Sequence, residues 1–309
     1  MTQDPRTSTT LDPAEIDRFA RIASEWWDAN GKLRTLHQIG PARMTFLRDA
    51  LVDHFHVDGG QAGDHGVPSP VAPEARPNSV GEGQGGGDDG TSKVGSPLTP
   101  NPSPQGGGES RRTWHEWTRS TKPLAGLAIL DIGCGGGLVC EPLARLGASV
   151  IGIDPAEESI EAARRHAEGQ GLAIDYRVAR VEDLAAEGRT FDAISCLEVI
   201  EHVPDPAAFL KTCASLVRPG GLMLLSTLNR TIKAYLLAVV GAEYVLRWLP
   251  VGTHQWERFV TPDELARYLE AAGLSTPTIR GLVYNPLKDT WSLADDTDVN
   301  YFAAAAKAG

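Results

Sequence analysis

The sequence has 309 residues, of which 41% are hydrophobic and 22% charged, and a formal net charge of −11 at pH 7. This composition is typical of a soluble globular protein, and the acidic balance excludes general nucleic-acid binding, which requires a positively charged face. The four cysteines have no CxxC spacing, so we expect neither a zinc knuckle nor a disulfide framework. The N-terminus lacks the apolar region of a signal peptide, and no apolar stretch reaches the roughly 20 residues of a membrane span. We therefore expect a cytoplasmic protein.

The first 58 residues are predicted to form N-terminal helices. Asp12 followed by Pro13 is a typical helix start, and a second helix is expected from about residue 41. Residues 59–110 are more than half Gly, Pro and Ser with almost no large apolar side chains, a composition that cannot offset the entropy of ordering. We expect this segment to be a disordered low-complexity insertion. A Pro-rich ligand for a partner domain is the alternative.

Residues 111–309 alternate between strand and helix patterns. Strands are predicted at 127–131, 149–153, 174–178, 191–196, 221–227, 276–283 and 299–306, and helices at 137–146, 156–169, 206–217, 230–248 and 261–272. This alternation predicts an α/β fold of the Rossmann-like type, with a mostly parallel seven-stranded sheet and helices on both faces.

A glycine-rich loop follows the first of these strands, at the edge where such folds bind nucleotides. In the stretch LDIGCGGGL, Gly133 and Gly135 fit the dinucleotide fingerprint, but Leu138 occupies the third glycine position and no Walker lysine follows. Asp131 at the loop entrance disfavours a pyrophosphate and favours a cationic ligand. Asp154, at the end of the second strand, is placed to accept hydrogen bonds from two ribose hydroxyls. S-adenosylmethionine suits both acids because it is cationic and has a ribose but no phosphate; a tight turn without a ligand is the alternative.

Six stretches of the chain, the glycine loop among them, are distinctive when taken together: SEWWDANGKLRTLHQIGPAR, LDIGCGGG, LEVIEHVPDP, LVRPGGLMLLSTLNRT, AVVGAEYVLRWLPVGTH and VYNPLKDTW. Through them the chain resembles the class I S-adenosylmethionine-dependent methyltransferases and, more narrowly, the ubiquinone-biosynthesis O-methyltransferase family. The resemblance implies a class I methyltransferase fold and O-methylation of two polyprenyl catechols, 2-polyprenyl-6-hydroxyphenol and 3-demethylubiquinol. It also implies contact with a membrane surface, where such substrates reside, and other ubiquinone-biosynthesis enzymes as partners.

The same resemblance implies contacts with the methyl donor. Arg43, in GPAR, is expected to form a bidentate pair with the methionine carboxylate, although a surface arginine of a helix is the alternative. Leu197 is expected to pack on the adenine or the ligand backbone. The expected cofactor-binding residues are Arg43, Gly133, Gly135, Asp131, Asp154 and Leu197.

Three polar residues follow the fourth strand in CLEVIEHVPDP. Glu198, Glu201 and His202 stand at i, i+3 and i+4, so they share one face if this turn is helical. Two chemistries are open: His202 acts as general base, or the three side chains bind Mg²⁺ that lowers the pKa of the acceptor phenol. Eukaryotic members of the resembled family have a metal-supporting E-x-x-E-H here, which favours Mg²⁺. The alternative to both is a helix N-terminus whose acids favour the helix dipole.

Residues 229–252 form the most apolar region outside the sheet. An amphipathic helix flanked by Arg230, Lys233, Arg247 and Trp248 would lie in a headgroup layer, which predicts reversible peripheral binding to the inner face of the cytoplasmic membrane. An ordinary lid or core helix is the alternative. Beyond it, Trp256 and Phe259 are candidate acceptor walls, although aromatic residues in such positions more often belong to the core.

Three other functions compete with this interpretation. The first is an O-methyltransferase with a soluble phenolic acceptor, and the second is a non-catalytic module that senses S-adenosylmethionine. A sensor needs no acid–base cluster, so Glu198, Glu201 and His202 speak against it. The third is an NAD(P)-dependent reductase, which Leu138 disfavours.

Overall fold

An eight-stranded sheet organises the residues that this computed structural model describes, which are 16–17, 20–57, 121–235 and 256–309. Its strands are β1 (Ala128–Ile132), β2 (Ser149–Asp154), β3 (Asp175–Val178), β4 (Phe191–Leu197), β5 (Val217–Leu228), β6 (Thr278–Asn285), β7 (Thr290–Ala294) and β8 (Asn300–Ala306). The strands lie in the order β3-β2-β1-β4-β5-β8-β6-β7.

The strands from β3 to β5 are parallel, whereas β6, β7 and β8 pair antiparallel with their neighbours. The chain runs from β1 outward to β2 and β3, then returns to place β4 on the other side of β1. This reversal is a topological switch point, where open α/β sheets bind their ligands at the carboxyl ends of the strands. The loops after β1, β2 and β4 therefore meet at one edge.

Six helices accompany the sheet in the described part of the chain. They are α1 (Arg34–Val57), α2 (Cys140–Arg145), α3 (Glu157–Gly169), α4 (Val181–Ala186), α5 (Pro206–Leu216) and α6 (Pro262–Ala271). The predicted start of α6 is confirmed: Thr261 and Glu264 form a capping box, and Pro262 occupies the first turn, where its missing N–H costs no hydrogen bond. Short 3₁₀ turns occur at Ala23–Glu25, Ile200–His202 and Trp256–Arg258, and one helical turn at Ile232–Ala234.

The two faces of the sheet are covered by separate apolar cores. Ile129 of β1 packs on one face with Phe46 and Leu47 of α1, together with residues of α2 and α3. Leu130, the next residue, packs on the other face with Phe209 of α5, together with residues of α4 and α6. Consecutive side chains of a strand point to opposite faces, so a strand that is apolar throughout needs helices on both. The predicted α/β class with helices on both faces is confirmed.

The number of strands differs from the prediction of seven. The additional strand is β7, which forms a hairpin with β6 and is only half-buried. Its sequence, TWSLA, lacks the continuous apolar run of the central strands, so pairing with β6 rather than its own pattern makes it a strand. The helix α4 also went unpredicted, because six residues show too little periodicity.

The N-terminal prediction is wrong in one boundary. Helix α1 begins at Arg34, seven residues before the expected start, and Pro41 lies inside it. A proline usually interrupts a helix because it lacks an N–H, but this helix continues through Pro41. The Asp12–Pro13 helix start, the insertion at 59–110 and most of the apolar helix at 230–248 lie outside the described residues. No helix among the described residues is both long and apolar enough to cross a membrane.

Candidate active site

The loop between β1 and α2 has a backbone that requires glycine. Gly133, Gly135 and Gly137 have φ angles of 70°, 51° and 91°, in the left-handed region that strains residues with a Cβ. The N–H groups of Gly133 and Cys134 both donate to the carbonyl of Ile153, at 2.9 and 3.0 Å. The loop is thereby fastened to the end of β2 at the ligand edge of the sheet.

Asp154 lies where the sequence predicts, at the end of β2 beside this loop. Its Oδ2 accepts from the Gly135 N–H at 3.0 Å and its Oδ1 from the Ala156 N–H at 2.9 Å. Burial raises the pKa of Asp154 to about 6, and these two hydrogen bonds oppose the rise. A carboxylate oxygen accepts more than one hydrogen bond, so both oxygens retain capacity for a ligand hydroxyl.

Asp131 is more deeply placed than the sequence indicates. It is 3% exposed, and its carboxylate accepts from Ser195 Oγ at 2.6 Å and from Cys140 Sγ at 3.2 Å. Burial raises its pKa to about 6, while these two hydrogen bonds and the charge of Arg43 lower it. The carboxylate therefore lies beneath the loop, in a network of its own, and its contact with a ligand stays a prediction.

Arg43 reaches this edge from α1 and is not a surface residue. It is 4% exposed, and its Nη2 donates to Glu198 Oε2 at 2.5 Å. Its Nε is buried and has no hydrogen-bond partner among the described residues. Glu198 also accepts from Ser226 Oγ at 3.2 Å, and its backbone has a φ of 55°, which is unusual for a residue with a side chain. An ion pair thus joins α1 to the end of β4.

The other two residues of the predicted triad, Glu201 and His202, lie in the 3₁₀ turn that follows β4. Glu201 is 5% exposed and accepts from Thr227 Oγ1 at 2.8 Å. Burial raises the pKa of Glu201, and the neighbouring His202 opposes that rise. His202 is half-buried at the end of the 3₁₀ turn. Leu197, the last residue of β4, is buried.

The predicted metal site does not form from these residues. Glu198, Glu201 and His202 would share a face only if one α-helix contained all three, but the turn begins at Ile200 and Glu198 has left-handed backbone. Within the described residues, no group of three or more His, Cys, Asp or Glu side chains is arranged to hold a metal ion. Each acid instead has its own protein partner, so the donor set does not fit Mg²⁺.

The structure separates the two alternatives for the aromatic residues on the acceptor side. Phe259 is 1% exposed and packs with Leu228 and Ala234, so it belongs to the core rather than to an acceptor wall. Trp256 is half-buried and its Nε1 donates to the carbonyl of Thr231 at 3.0 Å. It remains a candidate wall.

Two of the residues predicted to flank the membrane-facing helix, Arg230 and Lys233, are described, and both form ion pairs with acidic residues of this chain. Arg230 pairs with Glu264, and Lys233 pairs with Asp296 at 2.7 Å and Asp298 at 3.2 Å. These pairs reduce the positive charge offered to an anionic surface. Arg247 and Trp248, the other predicted flanking residues, lie outside the described residues.

Two site residues were missed by the sequence reasoning. Trp26 and Trp27 pack against the glycine loop, and the Trp27 indole donates to the carbonyl of Gly136 at 3.0 Å. The available signal was two adjacent tryptophans in an otherwise polar stretch, SEWWDANG. Tryptophan is highly buried on average, so such a pair indicates that the segment packs against another part of the protein.

Known proteins provide close matches to the chain. A family model described as a methyltransferase domain matches residues 109–277. The ubiquinone biosynthesis O-methyltransferase of Methylocella silvestris is 44% identical over 299 residues, covering 97% of this chain and 96% of the relative. That of Parvibaculum lavamentivorans is 43% identical over 305 residues, covering 99% and 97%. Among solved structures, the chain is similar to the magnesium protoporphyrin IX methyltransferase of Synechocystis with bound SAH, with 23% sequence identity and a TM-score of 0.45. The similarity covers 60% of this chain and 75% of that chain.

Proposed function

Since the chain belongs to the ubiquinone biosynthesis O-methyltransferase family, we propose that it transfers the methyl group of S-adenosyl-L-methionine to a phenolic hydroxyl of polyprenyl catechols. The proposed acceptors are 2-polyprenyl-6-hydroxyphenol and 3-demethylubiquinol, and the co-product is S-adenosyl-L-homocysteine. The proposal excludes nicotinamide chemistry and a purely sensory role.

One observation carries the donor assignment: a buried arginine and two acids from the ends of β1 and β2 lie around a glycine loop. Asp154 lies beside the loop and Asp131 is buried close enough for its charge to act on Arg43 and Asp154, so the two acids oppose a pyrophosphate and complement a sulfonium and an ammonium group. Arg43 brings one buried positive charge to this edge. This distribution of charge suits a zwitterionic amino-acid end joined to a sulfonium, and no phosphate.

The donor contacts follow from the groups that keep hydrogen-bonding capacity. The Nε of Arg43 has no partner among the described residues, so this N–H and the Nη atoms suit the methionine carboxylate. Asp154 would accept from the ribose hydroxyls while the Gly135 and Ala156 N–H groups hold its two oxygens apart. Leu197 would provide an apolar surface for the adenine.

The reaction requires alignment and one proton transfer. Bound donor supplies an electrophilic methyl carbon attached to a positively charged sulfur. The chain's residues hold the acceptor oxygen in line with the carbon–sulfur bond, so the oxygen lone pair forms the new bond while the carbon–sulfur pair stays on sulfur. We assign His202 the phenolic proton, because histidine is the side-chain type suited to proton transfer near neutrality. No step is assigned to a metal, since the three candidate ligands do not converge.

We further propose reversible contact with the cytoplasmic membrane, because a polyprenyl tail keeps the acceptor in a bilayer. Ile232 and Tyr235 are 75% and 43% exposed and lie directly before 236–255, a stretch outside the described residues. Because Arg230 and Lys233 are paired with acids, we expect the contact to be apolar and only weakly dependent on lipid charge. Flotation with neutral and anionic vesicles tests this: a requirement for anionic lipid would contradict the apolar mode.

The function is tested with methyl-labelled S-adenosylmethionine and three acceptor conditions: a short-prenyl catechol, a catechol without a tail, and none. We expect labelled methyl ether from the prenyl catechol at a much higher kcat/KM than from catechol alone. Equal efficiency with both catechols would favour the soluble phenolic acceptor. Donor binding without product from either catechol would favour a sensor.

A further inference from the structure

Trp26, in the segment before α1, lies against the middle of the glycine loop. A Cβ at Gly135 would approach Trp26 Cη2 to 2.4 Å, and one at Gly136 would approach Trp26 Cγ to 2.3 Å. Real Cβ atoms do not come so close to other carbons, so the loop backbone is in direct contact with the Trp26 side chain. The absent side chains at these two positions make room for a tryptophan of the same chain.

Trp26 is itself fixed by the protein interior. It is 8% exposed, and its Nε1 donates to the buried Ser159 Oγ of α3 at 3.1 Å. Its carbonyl lies 2.9 Å from Nε2 of His37 in α1. The indole also packs in a small apolar cluster with Leu33 and Ala162. It therefore presents a surface of defined position to the loop.

Trp27 holds the same loop through a polar contact. Its Nε1 donates to the carbonyl of Gly136 at 3.0 Å across 109 residues of sequence. Its indole stacks on the ring of His166 in α3, with centroids 3.4 Å apart and planes 7° from parallel. His166 Nδ1 is in turn 2.6 Å from Oε1 of Glu141, a buried residue of α2. Trp27 thus ties the loop to the two helices beside it.

These contacts lead directly to the predicted ribose acceptor. The Gly135 N–H, on the residue that Trp26 covers, donates to Asp154 Oδ2 at 3.0 Å. A shift of Gly135 would therefore move or release one oxygen of that carboxylate. From this geometry we infer that Trp26 and Trp27 are positioning residues for the methyl donor: they hold the glycine loop so that its backbone keeps Asp154 oriented. The inference rests on the proposed function, because it takes S-adenosylmethionine as the ligand of this loop.

The first test is Trp27→Phe, which retains a stacking ring but removes the N–H that donates to Gly136. Calorimetry with S-adenosylmethionine and with S-adenosylhomocysteine should show Kd increased about three- to tenfold for both, because part of the binding free energy must then order a loop that the lost hydrogen bond no longer holds. The KM for the catechol and the binding stoichiometry should stay at the wild-type values. A merely structural role would lower the folded fraction, hence the stoichiometry, without changing Kd.

Trp291→Phe is the matched control. It removes the same indole N–H from β7, where Nε1 has no hydrogen-bond partner among the described residues. Its donor Kd should equal that of the wild type. A wild-type Kd in Trp27→Phe, or an equal weakening in the control, would overturn the inference. Failure of the wild-type chain to bind the donor would instead refute the proposed function.

A double-mutant cycle tests Trp26. Gly135→Ala places a methyl group against the far end of the indole, whereas Trp26→Leu removes the Cζ2 and Cη2 atoms that it would meet. Gly135→Ala should therefore weaken donor binding by a larger factor in the wild-type background than in the Trp26→Leu background. Equal factors in both backgrounds would show that Gly135 is not required by Trp26. If Trp26→Leu does not fold, Trp26→Phe serves in the same cycle, because Phe also lacks the outer indole ring.

Discussion

Arg43 offers the sharpest test of the donor site, through replacement by lysine. Lysine keeps the positive charge and can still pair with Glu198, but it has a single ammonium in place of the guanidinium fork. Arg43 is 4% exposed and donates to Glu198 through Nη2, which leaves other N–H groups for a ligand carboxylate. The substitution therefore removes the geometry of a bidentate contact without removing the charge.

The expected loss follows from the number of hydrogen bonds. A hydrogen bond to a charged group contributes about 1.5–3 kcal/mol, and Arg43→Lys removes one of two such bonds to the carboxylate. At about 1.4 kcal/mol per factor of ten, donor affinity should fall roughly 10- to 100-fold. The free energy of unfolding of the ligand-free protein should change less, by about 1 kcal/mol, since the pair with Glu198 survives in altered form.

Calorimetry with two donors isolates this contact. S-adenosylmethionine has the carboxylate, and its decarboxylated analogue lacks it while keeping the sulfonium and the adenosine. The wild-type protein should prefer the complete donor, and Arg43→Lys should lose most of that preference while binding the analogue as before. If the substitution weakened both ligands by the same factor, Arg43 would not contact the carboxylate, and its role would be confined to the pair with Glu198.

Three further predictions concern the acids, the base and the metal. Burial raises the pKa of Asp131 and Asp154 from 3.8 to about 6, so the ligand-free fold binds their protons more tightly than the unfolded chain. These two groups therefore make the fold less stable as pH rises from about 4 to 6, which thermal melts from about pH 4 to 8 check. Donor affinity should instead fall as pH drops below about 6, which calorimetry over the same range checks, and Asp154→Asn should flatten that affinity profile. His202→Gln should lower kcat about 10²- to 10⁴-fold with donor Kd unchanged, measured by single-turnover methyl transfer, and a normal kcat would remove His202 as base. Chelator should leave the activity of purified protein unchanged, and restoration of lost activity by Mg²⁺ would contradict our account of Glu198 and Glu201.

Much of the fold could be predicted because its signals are local. Strands buried on both faces are mostly apolar, as in AILDI of β1, where four of the five residues are apolar. A capping box such as that of Thr261 and Glu264 marks a helix start within four residues. The glycine loop could also be predicted from the sequence, because a left-handed backbone at three positions favours glycine at each of them. By contrast, β7 and α4 are short, and neighbouring elements rather than their own pattern determine their structure.

The candidate site also has a part that local sequence predicts and a part that depends on how distant segments pack. The residue types that gather at the ligand edge could be predicted from the sequence alone, because Asp131 lies next to the end of β1, Asp154 ends β2, and the carboxyl ends of parallel strands meet at one edge. What each side chain faces depends on the tertiary structure. Arg43 and Glu198 are 155 residues apart, and Trp27 and Gly136 are 109 apart. The direction of Glu198 depends on one left-handed backbone angle, which no spacing rule contains. Contacts between distant segments arise from how the elements pack, and so the acids predicted to share a metal are found paired with an arginine and a threonine instead.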